Sequence, residues 1–212
     1  FLGLSGLFFG LGAASKWTCI YAGAGLAVMF FWVYIRQWIQ AVRDWETDGK
    51  KDLPRLIGTV GWCILVFIIL PCGIYLLSYL PYMTGGNSKT LLQTVLDNQK
   101  YMFNYHTTLV DDHFFKSPWY QWPFIWKPMW YYRNGALPDG WMGSIAAFGN
   151  PLVWWTGLVA IVYTVFRVIR DRRMDKVTWF LLIGFLSQYL PWVLVPRSMF
   201  IYHYFTCTPF FI

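Results

Sequence analysis

Charged side chains are scarce in this chain. Its 212 residues include only 17 Lys and Arg and 10 Asp and Glu, a charged fraction of 13%, against 57% hydrophobic and 22% aromatic residues and a mean hydropathy of +0.41. That balance lies outside the usual range for a soluble domain of this size. Paired cysteines are lacking too. Cys19, Cys63, Cys72 and Cys207 stand in apolar stretches with no ligand spacing, so they read as small buried hydrophobes and leave the redox compartment open. No glycine-rich phosphate loop, nucleophile elbow or zinc signature occurs. The net charge of +7 forms no continuous basic stripe, because the cations sit mainly in short loops; no nucleic-acid partner is expected. The opening residues show neither a basic n-region nor a small-residue cleavage site, which argues against a signal peptide. Apolar stretches at 1–14 and 199–212 are cut by the chain ends, so a piece of a longer protein is expected.

What the chain does have is long apolar runs. Residues 18–35, 56–80, 151–169 and 177–196 come close to, or reach, the roughly 20 apolar residues that a hydrocarbon core about 30 Å thick requires. The expected fold class is therefore all-α, a polytopic transmembrane helix bundle. Its orientation follows from charge. Arg36, Arg43, Lys50, Lys51 and Arg55 lie in one connection, and Arg167, Arg170, Arg172, Arg173 and Lys176 in another. Two spans separate these connections, so both lie on the same side, and their Lys/Arg excess makes that side cytoplasmic. The resulting organisation is residues 1–80 as transmembrane helices with a cytoplasmic loop at 36–55, residues 81–150 as an outer loop with a Trp-rich interfacial segment, and residues 151–212 as transmembrane helices with a cytoplasmic loop at 167–176.

The outer segment has two parts. After a GGNS breaker, Leu91, Leu92, Val95 and Met102 recur at helical spacing and predict a surface helix. From His113 the chain reads HFFKSPWYQWPFIWKPMWYY. Trp119, Trp122, Trp126 and Trp130 would line one face if the backbone were helical, but Pro118, Pro123 and Pro128 limit how regular that helix can be. Two readings fit. One is an aromatic belt at headgroup level. The other is part of a pocket at the outer surface, where aromatic faces stack on sugar and Lys116 or Lys127 approaches an anion.

Two cations fall at the outer ends of spans, against the cytoplasmic preference of basic residues. Lys16 follows GLFFGLGAAS, and Arg197 sits in VPR just after a proline break. Either side chain can snorkel to water along its stem. Alternatively, both face an anion at the outer interface, such as a lipid phosphate, with Arg offering a two-pronged fork and Lys a point charge. The run HTTLVDDH, with His106, Asp111, Asp112 and His113, matches no metal motif, so no metal is expected and the aspartates read as caps. His203 reads as a hydrogen-bonded packing residue.

Four stretches together carry a family likeness: GLFFGLGAASKW, the HFFKSPWYQWPFIWKPMWYY run, FGNPLVWW and LPWVLVPRSMFIYHYF. In order and spread along the chain, they resemble the C-terminal multi-span region of the protein O-mannosyltransferases, polytopic glycosyltransferases of the C-type membrane fold. The resemblance implies mannose transfer from a polyprenyl-phosphate carrier to Ser or Thr hydroxyls of exported polypeptides, at the outer face of a bacterial cell membrane and without a cofactor. It implies inverting displacement, with a carboxylate removing the acceptor proton while cations stabilise the departing phosphate. The family's catalytic acidic residue is expected upstream of Phe1, so no catalytic residue is assigned here; Asp111 and Asp112 do not match its motif. Arg197 and Lys16 are the lipid-phosphate candidates, with His113, Ser117, Trp119, Trp122 and Lys127 shaping the outer site. The segment 81–150 is too short for the large lumenal insert of eukaryotic members, which points to a bacterial member and leaves another polyprenyl-linked sugar, moved to lipid or cell-wall glycan, as an alternative. A transporter predicts repeated halves with interrupted helices, and no internal repeat is found. A noncatalytic membrane subunit that uses the Trp segment for assembly stays open.

Overall fold

The structure is a computed structural model that describes residues 1–46, 50–83, 89–108, 112–135, 137–172 and 175–212. The GGNS breaker, Asp111 and Arg173 lie outside the described residues. Among the described residues, four helical runs are long and apolar enough to cross a membrane: Cys19–Arg43, Lys50–Met83, Pro151–Asp171 and Lys176–Leu194. They coincide with the four apolar runs of the sequence, and the protein is a multi-pass membrane protein. The helical backbone outlasts the apolar residues at several ends, continuing to Arg43 and resuming at Lys50. Much of the connection expected as loop 36–55 is therefore helical.

Two compact units divide the chain, Phe1–Phe103 and Asn104–Ile212. The first contains α1 (Leu2–Ser15), α2 (Cys19–Arg43), α3 (Lys50–Ile64), α4 (Leu70–Leu77), α5 (Leu80–Met83) and most of α6 (Leu91–Thr108). Between α3 and α4 the backbone widens into a π-helical turn over Leu65–Ile69, where the Leu70 N–H reaches back five residues to the Leu65 carbonyl. Pro71 explains the widening. It has no N–H to continue the α ladder, and its ring crowds the preceding turn. Against this turn packs α1, through glycine. A Cβ on Gly6 would sit 2.1 Å from the Val66 carbonyl oxygen, and one on Gly10 would sit 3.0 Å from Pro71 Cα. Close approach of this kind is how helices associate in lipid, where apolar surface alone gives no preference for a partner.

The start of α6 is set by a reciprocal cap. The Thr90 hydroxyl accepts from the Gln93 N–H at 3.3 Å, and the Gln93 side-chain oxygen accepts from the Thr90 N–H at 3.1 Å. Nine residues further on, a polar cluster ties this helix to α4. Gln99 Nε2 donates to the hydroxyls of Tyr75 (2.8 Å) and Tyr79 (3.1 Å), Asn98 Nδ2 donates to Tyr79 (3.0 Å), and the Trp17 indole donates to Tyr75 (3.2 Å).

The second unit contains a hairpin, two helices and three short 3-10 runs. Strands β1 (Met129–Asn134) and β2 (Gly143–Ala147) pair antiparallel, with a bulge at Tyr131 where the register passes from Trp130↔Ala146 to Tyr132↔Ile145. The hairpin is an element the sequence reading did not anticipate in an otherwise helical protein. Its turn rests on Gly140 at φ 86, with the Trp141 N–H donating to the Pro138 carbonyl at 3.0 Å. α7 (Pro151–Asp171) opens on Pro151, and the Asn150 side chain caps the N–H groups of Leu152 and Val153. α8 (Lys176–Tyr189) is capped by Asp175, which accepts from the Thr178 N–H at 2.8 Å. The core of this unit is aromatic: Trp122, Trp154, Phe185, Trp192 and Tyr204 are all buried, with Leu182, Ile201 and Cys207. Much of it comes from the last 3-10 run, Ile201–Phe210, which packs on α8.

Candidate functional site

The Trp-rich segment does not lay its tryptophans along one face. Pro118 leads into a 3-10 turn over Trp119–Phe124, and Ile125 then adopts a left-handed conformation at φ 55. The turn ends there, and the four tryptophans take different environments. Trp119 is half-buried, Trp122 is 0% exposed, Trp126 is 73% exposed and Trp130 stands on β1.

Hydrogen bonds anchor the segment to the C-terminal part of the unit. The Ser117 N–H donates to the Met199 carbonyl at 2.8 Å. Trp122 Nε1 donates back to Ser117, to its carbonyl at 3.1 Å and its hydroxyl at 3.0 Å. The Tyr189 hydroxyl donates to the Trp119 carbonyl at 3.1 Å, and the two rings meet edge-on. His113 Nδ1 accepts from the Phe115 N–H at 3.2 Å, while its ring meets Phe200 edge-on at 5.2 Å. Asp112 pairs with Lys116, and that ammonium holds its carboxyl below the usual carboxylate range. Lys127 places its ammonium 5.1 Å above the Phe114 ring. Among the described residues, no group of three or more His, Cys, Asp or Glu comes together as a metal site.

Arg197 occupies the irregular backbone between the 3-10 run Leu190–Leu194 and the one beginning at Ile201. It is half-buried, and among the described residues no carboxylate lies within ion-pair reach of it. Its charge acts on His106, far away in the sequence at the end of α6, and on Tyr202, five residues further along the chain. Burial, and secondly the Arg197 guanidinium, hold the His106 imidazole below its ordinary value. Around this cation, Tyr202 stacks on Phe200 at 5.6 Å and on Tyr131 at 6.2 Å. In the same 3-10 run, His203 is buried, with its ring centre 4.0 Å from that of Trp192.

Of the expected site residues, His113, Ser117, Trp119, Trp122, Lys127 and Arg197 belong to the second unit. Ser117 and Trp122 are buried within it. Lys16 belongs to the first unit, where it caps α1 and remains exposed beside Trp17. Tyr131 and Tyr202 were not singled out in the sequence, and His106 was considered there only within HTTLVDDH. The stretch IYHYF contained Tyr202, but only the folded chain places it beside Tyr131.

Residues 91–212 match the family described as the C-terminal four TMM region of protein-O-mannosyltransferase. Among curated proteins, the chain is 23% identical to a polyprenol-phosphate-mannose–protein mannosyltransferase of Mycobacterium tuberculosis, with 98% of this chain and 44% of the relative aligned. The protein of the same name from Corynebacterium glutamicum is 22% identical over 97% of this chain and 44% of the relative. Dolichyl-phosphate-mannose–protein mannosyltransferase 4 of Saccharomyces cerevisiae is 24% identical over 53% of this chain and 16% of the relative. The chain thus spans under half the length of the bacterial relatives it matches nearly end to end. No solved structure matches it. The family match covers more than half of the chain and takes in both the Trp-rich segment and Arg197, and the chain belongs to the protein O-mannosyltransferase family.

Proposed function

We propose that this chain is the C-terminal multi-span part of a membrane glycosyltransferase that moves mannose from polyprenyl-phosphate-mannose to Ser or Thr hydroxyls of exported polypeptides. The names of the bacterial relatives support the donor and the protein acceptor. The charge asymmetry of the connections supports an active site on the outer face of the cell membrane, with residues 36–55 and 167–176 cytoplasmic.

The observation that carries the chemical reading is Arg197: a half-buried guanidinium in a break of regular structure, with no carboxylate to neutralise it among the described residues. Irregular backbone at membrane depth is tolerated where it lines a cavity or is buried in protein. In an inverting displacement, the acceptor oxygen attacks the anomeric carbon as the bond to the carrier phosphate breaks, and negative charge grows on the leaving oxygen. Arg197 donates two parallel hydrogen bonds to that phosphate and is already in place when the charge develops. Ser117, Trp119 and Trp122 brace the Trp-rich segment of this unit, and His113 and Lys127 shape the outer site; Lys16, in the first unit, is a separate candidate for lipid phosphate.

The test is transfer of labelled mannose from polyprenyl-phosphate-mannose to a Ser/Thr-rich peptide by membranes that contain the full-length protein carrying this chain. Arg197→Ala lowers transfer about 100-fold or more at equal expression, as expected for loss of a charge-stabilising donor. Unchanged turnover removes Arg197 from the reaction. Absence of transfer by the wild type refutes the donor assignment.

A further inference from the structure

Tyr131 and Tyr202 reach one another from separate parts of the second unit, one from β1 and the other from the last 3-10 run. Their rings stack at 6.2 Å with planes 27° apart. The bulge in β1 is what aims Tyr131. Trp130 pairs with Ala146 and Tyr132 with Ile145, so Tyr131 has no cross-strand partner and its side chain leaves the ladder. Tyr202 is bracketed, since Phe200 stacks on it at 5.6 Å with planes 17° apart. The free aromatic surface of the stack is therefore that of Tyr131, which is 52% exposed. Arg197 lies on the irregular segment that leads into this stack, three residues before Phe200.

An exposed aromatic face in the same unit as a cation that has no carboxylate partner among the described residues is a surface for a ligand that joins a ring with polarised C–H bonds to an anion. The face of an aromatic ring is negative and attracts such C–H groups. The guanidinium takes the anion by a planar fork. We propose that Tyr131, backed by Tyr202, is the platform on which the pyranose of a lipid-linked sugar phosphate lies while Arg197 holds its phosphate. This assignment rests on the mannosyl-transfer reading and gives it a recognition element for the sugar itself. Tyr131 would touch the sugar; Tyr202 acts through Tyr131 and is a positioning residue. The bulge then has a purpose, because a regular strand would keep the residue at 131 within the ladder.

The experiment measures binding of two probes, polyprenyl-phosphate-mannose and bare polyprenyl phosphate, to the full-length protein in nanodiscs. Wild type is compared with Tyr131→Leu, Tyr131→Phe and Arg197→Ala, each first shown to melt cooperatively. Wild type binds the mannosylated carrier more tightly than the bare one. Tyr131→Leu loses about three- to tenfold in affinity for the mannosylated carrier only, the loss of one ring-face contact, and Tyr131→Phe keeps wild-type discrimination. Arg197→Ala weakens both carriers. If Tyr131→Leu discriminates as wild type does, or weakens both carriers equally, the platform is overturned while the mannosyl-transfer reading stands. If the wild type binds no mannosylated carrier but retains the bare one, both are overturned.

Discussion

Trp122 and Ser117 hold each other through a closed local circuit: the indole N–H of Trp122 donates to both the carbonyl and the hydroxyl of Ser117, at 3.1 and 3.0 Å. The Ser117 N–H, in turn, donates to the Met199 carbonyl at 2.8 Å. The Trp-rich segment is thereby locked to the backbone two residues beyond Arg197, and the indole supplying the lock is wholly buried. A buried indole N–H without an acceptor is costly, so the partnership specifies one position for the turn.

The two partners predict unequal effects. Trp122→Phe keeps most of the ring but removes the donor, and it is expected to destabilise the protein by about 1–3 kcal/mol. Ser117→Ala leaves the carbonyl contact in place and costs less than about 1 kcal/mol. Thermal unfolding in detergent measures both, and a larger loss for Ser117→Ala than for Trp122→Phe contradicts the circuit.

The helices were legible because their signals are local. An apolar run of the right length is both the sequence signal and the physical cause of a membrane helix, so 56–80 and Lys50–Met83 agree. The hairpin carried a local signal too, in Pro138-Asp139-Gly140, where only glycine accepts φ 86 easily. Aromatic composition had drawn the reading towards a belt instead. The tryptophan face was misleading for another reason: it assumed one backbone period through three prolines, and Ile125 breaks that period with a left-handed φ. Arg197 stood out in the sequence as a cation just after a proline break in apolar surroundings, and the structure places it on irregular backbone. The long-range relations were not legible, because the field of Arg197 at His106 and the stacking of Tyr131 on Tyr202 arise from tertiary packing that spacing does not encode.

A different test concerns the first unit, where two glycines of α1 face neighbours at very different range. At Gly6 a Cβ would meet the Val66 carbonyl at 2.1 Å, which is backbone and cannot swing aside, whereas at Gly3 it would meet only the Trp62 side chain at 3.5 Å. Gly6→Ala must push α1 away from the π-helical turn and is expected to destabilise by about 1–3 kcal/mol or more, the cost of overpacking. Gly3→Ala is neutral or mildly stabilising, because alanine favours the helix. Melting of the two variants side by side separates a packing glycine from a permissive one, and equal losses at both positions count against this packing of α1.

The relation between His106 and Arg197 gives a pH dependence of definite sign. Burial comes first and the Arg197 charge second in disfavouring the imidazolium, so the folded value lies below that of the unfolded chain, about 6.5. Between the two values the unfolded state binds more protons. The stability His106 contributes is therefore complete above about pH 6.5 and is lost as pH falls through the depressed folded value. Arg197→Ala removes the second cause and leaves the first, so the imidazole titrates closer to 6.5 and the acid-side loss shrinks without vanishing. An anion bound at Arg197 acts in the same direction by offsetting its charge, so the site takes up protons as it binds phosphate, and affinity for polyprenyl-phosphate-mannose, a phosphodiester whose own charge is constant over this range, is expected to rise between pH 7 and pH 5.5. Affinity flat across that range in wild type, with His106→Gln indistinguishable from it, would show that His106 and the anion do not share one field.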